Sequence, residues 1–159
     1  MTASRLAFIQ KVSSSAVDAT IGTGLFPSLL IAQACLEGRD GASLLAKKYN
    51  NHFGIKASAG WIGATILMNT KEFIRGAYIT VKAPFRAYRN LTDGFKDRCN
   101  FLIKNSRYEK NGVFKAATAA DQARALQKAG YATDPNYANS LISLIKLYGL
   151  EKFDVEKKK

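Results

Sequence analysis

The sequence predicts an α+β fold in which helical segments before and after the chain's middle enclose one small β lobe. Three observations carry this. Apolar residues recur at helical spacing up to Tyr49 and again from about Thr92. The stretch Phe53–Tyr88 is rich in glycine and alternates at period two. No linker, low-complexity run or internal repeat divides the 159 residues, so a single domain spanning 1–159 is expected.

The first helix is expected over residues 4–21, with Leu6, Ile9, Val12, Ala16 and Ala19 on one stripe and Ser4 as its N-cap. Gly22 and Gly24 end it. Pro27 suits the first turn of a second helix that runs to Glu37, and its residues Leu29, Leu30, Ile31, Ala32, Ala34, Cys35 and Leu36 are apolar on nearly all sides, which marks it as buried. Gly38 and Gly41 break the pattern before a short helix around Ser43–Tyr49. Ala64–Met68 and Tyr78–Val81 then read as strands of a small antiparallel sheet or pair of hairpins. Helices return at Thr92–Lys104, from the cap Thr118 to Gly130, and from near Pro135 to Gly149, with Asp134 expected to cap the last. Strands so segregated from helices leave a cleft between lobes as the natural site.

Twenty-four Lys and Arg stand against twelve Asp and Glu, a formal charge of +12 that favours a polyanionic partner. The sequence holds no RNP-type aromatic motif, zinc finger or helix-turn-helix signature, so nucleic acid is not the expected partner. No apolar run approaches the roughly 20 residues that span a bilayer. Lys157–Lys159 reads as a solvated tail. Cys35 and Cys99 belong to no CxxC pair, and His52 completes no zinc spacing with them; Cys35 reads as a core residue, with a disulfide to Cys99 left open. Neither a metal nor a nucleotide motif appears, and no cofactor is expected.

Glu37 closes the buried helix. Low-dielectric surroundings and the negative end of the helix dipole both disfavour its charged form, and a carboxyl that keeps its proton is what a general acid in glycoside cleavage requires. Position alone does not separate this reading from an ordinary surface glutamate at a helix end.

A resemblance separates them. Residues 28–37 (Ser-Leu-Leu-Ile-Ala-Gln-Ala-Cys-Leu-Glu), Gly41-Ala42-Ser43-Leu44-Leu45-Ala46 and Asn50-Asn51-His52-Phe53-Gly54-Ile55-Lys56 resemble, in order, the motifs of the glucosaminidase family, glycoside hydrolase family 73. Ala83–Tyr88 and Gly130–Ala138 match later pieces, and the similarity runs from about residue 6 to 154. The family includes bacterial autolysins, the wall-hydrolase domain of the flagellar rod protein and phage lysins. The resemblance implies a lysozyme-like fold and cleavage of the β-1,4 bond between N-acetylglucosamine and N-acetylmuramic acid. Glu37 falls on the family's general acid and Tyr131 on a tyrosine of its site, and Glu72, in Thr70-Lys71-Glu72-Phe73, matches a segment that supplies a second carboxylate.

One departure stands out. The aromatic that usually follows the helix end is Asp40 here, expected to pair with Arg39 or a lysine in solvent. The remaining assignments each have a plainer counterpart. Glu72 is either the base or a solvated hairpin residue between Lys71 and Arg75. Tyr131 and Tyr137 either bond substrate or water through their hydroxyls, or pack at a helix junction. Asn51 and Phe53 line the cleft, unless Asn50 and Asn51 only shape a turn. Trp61 either stacks on a sugar or packs in the core. Arg86 is expected to contact substrate and, with Phe85 and Tyr88, to shape the floor between the lobes, and His52 to be incidental. Inverting, retaining and substrate-assisted mechanisms all remain open.

The expected partner is bacterial peptidoglycan, met by a monomer in the periplasm or cell wall. The N-terminus shows Arg5 but no apolar core or cleavage site of a signal peptide, so delivery is expected by phage lysis, a secretion system or fusion, or from a leader outside this stretch. No delivery or immunity partner is legible.

Overall fold

Helix α1 (Ala3–Thr20) begins at Thr2, whose hydroxyl accepts the Arg5 amide at 3.2 Å, so the N-cap lies two residues before the expected Ser4. The computed structural model describes residues 1–58 and 60–158, with side chains described as far as Val155; the tail Lys157–Lys159 lies outside the described side chains. Ile9, Val12, Ala16 and Ala19 are buried as the stripe predicts, while Phe8 takes the place of the exposed Leu6.

Helix α2 (Pro27–Glu37) is the centre of the fold: Leu29, Leu30, Ile31, Ala32, Ala34 and Cys35 are all buried, and the helix packs on α1, on the later helix Tyr137–Leu147 and on the C-terminal 3-10 segment (Leu150–Lys158). Its N-cap, Phe26, has no side-chain oxygen to offer. Asp154 supplies the carboxylate instead, accepting the Ser28 amide at 2.8 Å and the Ser28 hydroxyl at 2.6 Å. The buried Gln122 fixes the chain just before it, accepting from the Phe26 amide and donating to the carbonyls of Gly24 and Val113. The N-terminal end of α2 is thus pinned by residues about a hundred positions away, which sets where its other end, Glu37, must fall.

Helix α3 (Leu44–Tyr49) is capped by Ser43 and ends on Asn50 in the left-handed conformation. The β lobe is one hairpin, β1 (Thr65–Ile74) and β2 (Ala77–Arg86), paired antiparallel from Thr65↔Arg86 to Ile74↔Ala77. Arg75 and Gly76 form its two-residue turn with φ of 51° and 80°, the geometry whose twist matches antiparallel strands. Alternation puts Ile66, Met68, Thr70 and Glu72 on the half-buried face. An isolated hairpin is marginal in water. This one is anchored at its root by segment 55–57, through Ala57 N to Pro84 O at 2.9 Å and Arg86 N to Ile55 O at 3.0 Å.

Helices α4 (Leu91–Lys104), α5 (Ser106–Lys110), α6 (Ala119–Lys128) and α7 (Tyr137–Leu147) complete the helical lobe. Thr118 caps α6 as expected. Asp134 does not cap α7: it accepts the Asn136 amide in the turn before it, and Asn136 takes the cap position. Cys35 and Cys99 are buried free thiols, and burial pushes both up to about 12.

Candidate active site

Glu37 sits where α2 leaves the core, with Gly38 following; a Cβ at Gly38 would lie 2.9 Å from the His52 carbonyl oxygen, so only glycine lets the chain turn away there. Two tyrosines hold the carboxyl. Tyr131, just beyond α6, donates to Oε2 at 3.0 Å, and Tyr137, the first residue of α7, donates to Oε1 at 2.7 Å. Gln33, one turn before Glu37, donates to the Tyr137 hydroxyl at 2.9 Å. Burial raises the Glu37 carboxyl above the ordinary range, and the positive charge of Arg98 and the two tyrosine hydroxyls pull the other way without cancelling it. Burial also raises both phenols, reinforced by the neighbouring Glu37 charge, so they remain donors.

Glu37 opens on a cleft of about 560 Å³ lined by Phe53, Lys56, Arg98, Phe101, Arg107 and Tyr108, among others, and by Tyr131 and Tyr137. The cleft lies between the helical lobe and the hairpin root. Phe53 is therefore in place. Glu72 lies on the hairpin face that alternation assigns to it, does not line this cleft, and is held at 2.8 Å by Lys56, which does.

Three expected substrate contacts are used elsewhere. Asn51 is buried: its amide nitrogen donates to the carbonyls of Ile55 and Arg86, and its oxygen accepts the Ile55 amide, so it ties the loop to the hairpin root. Arg86 bonds Asp97 at 2.9 Å and the Lys56 carbonyl at 3.2 Å, with its guanidinium 4.4 Å from the Trp61 ring centroid. It clamps the hairpin to α4. Trp61 carries Arg86 on its face, meets Tyr88 edge-on and donates to the Ala64 carbonyl; it lines a neighbouring depression, not the Glu37 cleft. Asp40 is not paired with Arg39 or a lysine: Arg5 of α1 reaches it at 2.9 Å, and the groups acting on Glu37 are Arg98 and the tyrosines. His52 lies outside the cleft, packed between Phe8 and Phe95.

Sequence reasoning missed Arg98, Gln33, Lys56 and Arg107. Arg98 left a signal: it stands on the apolar stripe of α4, three residues after Phe95 and four before Leu102, where a cation has no reason to be unless it faces something. Among the described residues no group of three or more His, Cys, Asp and Glu side chains converges as metal ligands would.

A carboxyl raised above its ordinary range by burial at the end of a core helix, beside a cleft between a helical and a β lobe, is the layout of the lysozyme-like class of glycoside hydrolases. The chain matches the glucosaminidase family, described as mannosyl-glycoprotein endo-beta-N-acetylglucosaminidase, over residues 13–150, and it belongs to that family. It is 39% identical over 143 residues to the peptidoglycan hydrolase FlgJ of Salmonella typhimurium, covering 87% of this chain and 45% of FlgJ. A probable N-acetylmuramidase of Lactococcus lactis is 35% identical over 159 residues, 96% of this chain and 36% of that protein. The catalytic domain of the autolysin Auto from Listeria monocytogenes has the same fold, with a TM-score of 0.86 at 34% identity, covering 97% of this chain and 89% of that one. The chain spans less than half the length of these curated relatives.

Proposed function

We propose that this chain hydrolyses peptidoglycan, cleaving the β-1,4 bond between N-acetylglucosamine and N-acetylmuramic acid with Glu37 as general acid. The observation that carries the reading is the carboxyl itself: buried at a helix end, raised above the ordinary range, and aimed by two tyrosine hydroxyls at an open cleft. Glu37 gives its proton to the glycosidic oxygen as the C–O bond breaks, and the anion left behind is received by Tyr131 and Tyr137, which donate to both its oxygens.

Glu72 is the proposed second carboxylate. Lys56 holds it at 2.8 Å on the half-buried face of the hairpin, from where it would activate water when the hairpin and substrate meet. The relatives' names support wall glycan as substrate and, with it, action in the periplasm or cell wall, and the +12 charge suits an anionic wall. A second reading, cleavage on the other side of N-acetylmuramic acid, is favoured by the name of the Lactococcus relative and uses the same acid.

The test is digestion of purified peptidoglycan by the protein and by Glu37→Gln, with the new ends identified by mass spectrometry. Reducing N-acetylglucosamine ends made by the parent and lost in the variant are expected. Reducing muramic ends would establish the second reading, anhydromuramic ends a lytic transglycosylase. An active Glu37→Gln variant would remove Glu37 from the mechanism.

A further inference from the structure

Arg98 is the largest fully buried side chain among the described residues, 1% exposed, and the reading above gives it no task. Its guanidinium carbon lies 4.5 Å from the Tyr131 ring centroid and 4.9 Å from that of Phe53, between two walls of the cleft. Among the described residues its Nε and Nη2 have no hydrogen-bond partner. A guanidinium held against its own desolvation, with donors unused, contributes poorly to packing; a methionine or leucine would fill the space on the α4 stripe at less cost.

We propose that Arg98 is a positioning residue of the reaction: its buried guanidinium fixes the Tyr131 ring whose hydroxyl bonds Glu37, and supplies the positive field that lets Glu37 release its proton to the departing sugar oxygen. The proposal rests on the glycosidase reading and deepens it. A carboxyl buried without a counter-charge holds its proton too firmly to be a good acid, and one exposed to water loses it too early. Burial and Arg98 act on Glu37 in opposite senses, burial the stronger of the two. The groups facing Glu37 are Arg98 from α4, Tyr131 from the loop after α6, and Tyr137 from α7; Lys56 before the hairpin and Arg107 on α5 line the same cleft. Asp97, beside Arg98 in sequence, is engaged by Arg86 and by the Tyr88 hydroxyl, so Arg98 is not neutralised by its neighbour.

The experiment compares the full chain with Arg98→Met and Arg98→Lys. The Glu37 carboxyl is titrated by carbon NMR, and the rate of peptidoglycan cleavage is followed against pH alongside the thermal midpoint. In Arg98→Met the Glu37 titration and the alkaline limb of the rate both move to higher pH, the plateau rate falls several-fold, and the thermal midpoint does not fall. Arg98→Lys returns the titration toward that of the parent, because the charge is restored. A merely structural Arg98 gives the reverse pattern, a lowered midpoint with the titration unmoved, and that result overturns the inference; so does a lysine variant that titrates like the methionine one. Absence of wall cleavage by the parent defeats the glycosidase reading and the catalytic half of this proposal with it, whereas an unmoved titration in an active parent defeats the role of Arg98 alone.

Discussion

Replacing Tyr137 with phenylalanine removes an oxygen that bonds both Glu37 and Gln33, whereas the same change at Tyr131 removes an oxygen that bonds Glu37 and does not touch Gln33. Each change loses a bond to the carboxyl, worth about 1–2 kcal/mol when the acceptor is charged or partly so. Tyr137→Phe also orphans Gln33, which is fully buried and whose Oε1 already lacks a partner; the amide nitrogen then lacks one too, at a further cost of about 1–3 kcal/mol. Tyr137→Phe should therefore lower stability by about 3 kcal/mol and Tyr131→Phe by about half that. At roughly 2–4 °C per kcal/mol for a domain of this size, the first variant melts about 6–12 °C below the parent. Gln33→Leu combined with Tyr137→Phe should recover part of the loss, since removing both members of a buried polar pair costs less than stranding one. Thermal denaturation at one pH of the parent, the two tyrosine variants, Gln33→Leu and the double variant decides it. Equal losses for the two tyrosines, or strictly additive losses for Gln33 and Tyr137, would falsify the assignment of Gln33 as the partner that Tyr137 satisfies.

The remaining predictions concern the titratable groups. Glu37→Gln should abolish cleavage yet raise the thermal midpoint at pH 7 and above: a carboxyl whose folded pKa is raised destabilises the fold once pH passes its unfolded value near ~4.3, by about 1.4 kcal/mol for each unit of elevation, and glutamine carries no such penalty. A midpoint that falls at pH 8 but not at pH 4 would contradict the raised value. Glu72→Gln should reduce cleavage by at least about 100-fold if Glu72 activates water, with the midpoint shifted by less than about 2 °C, because an exposed ion pair such as Lys56–Glu72 is worth at most about 1 kcal/mol. Near-parental activity would point to the substrate's own acetamido group. His52 is lowered to about 4, first by burial and then by Lys11, so the fold should be fully stable above pH 6.5 and lose up to about 3 kcal/mol as pH falls from 6.5 towards 4. In His52→Phe that loss should be absent from stability measured by urea unfolding across the same window; a slope equal to the parent's would show that His52 does not titrate on unfolding.

The order of elements was legible because each is locally determined. The all-apolar run of α2, the cap at Thr118 and the alternating stretches Ala64–Met68 and Tyr78–Val81 each give the right element from a few residues. The family motifs then marked Glu37 and Tyr131, and the structure brings both together with Tyr137. What was not legible depends on contacts across the chain. Asp154 at the start of α2 and Arg5 at Asp40 are partners 126 and 35 positions apart, with no local pattern to announce them. Asn51, Trp61 and Arg86 looked like sugar contacts because they are polar or aromatic and lie near the cleft in sequence; their hydrogen bonds and stacking are spent on holding the hairpin root. Residue type gives chemistry, but only packing tells whether a group's bonding capacity is already used.

That distinction bears on how the site stays ordered while its own groups oppose folding. Glu37 raised by burial, Arg98 with idle donors and Gln33 with an unpaired oxygen are each unfavourable to the folded state, and all three lie within one shell around the carboxyl. The restoring contributions lie at the opposite end of α2 and beneath the hairpin: the Asp154 and Gln122 bonds that fix the helix start, and the Arg86–Asp97 and Asn51 bonds that fix the loop behind Phe53. Because α2 is rigid and buried along its length, pinning its first turn determines the position of its last residue about 15 Å away. Strain near the carboxyl is therefore carried by contacts that never touch substrate, and substitutions at Asp154 or Gln122 should impair cleavage chiefly by unfolding the protein, while those at Tyr131 or Arg98 should impair it in a protein that remains folded.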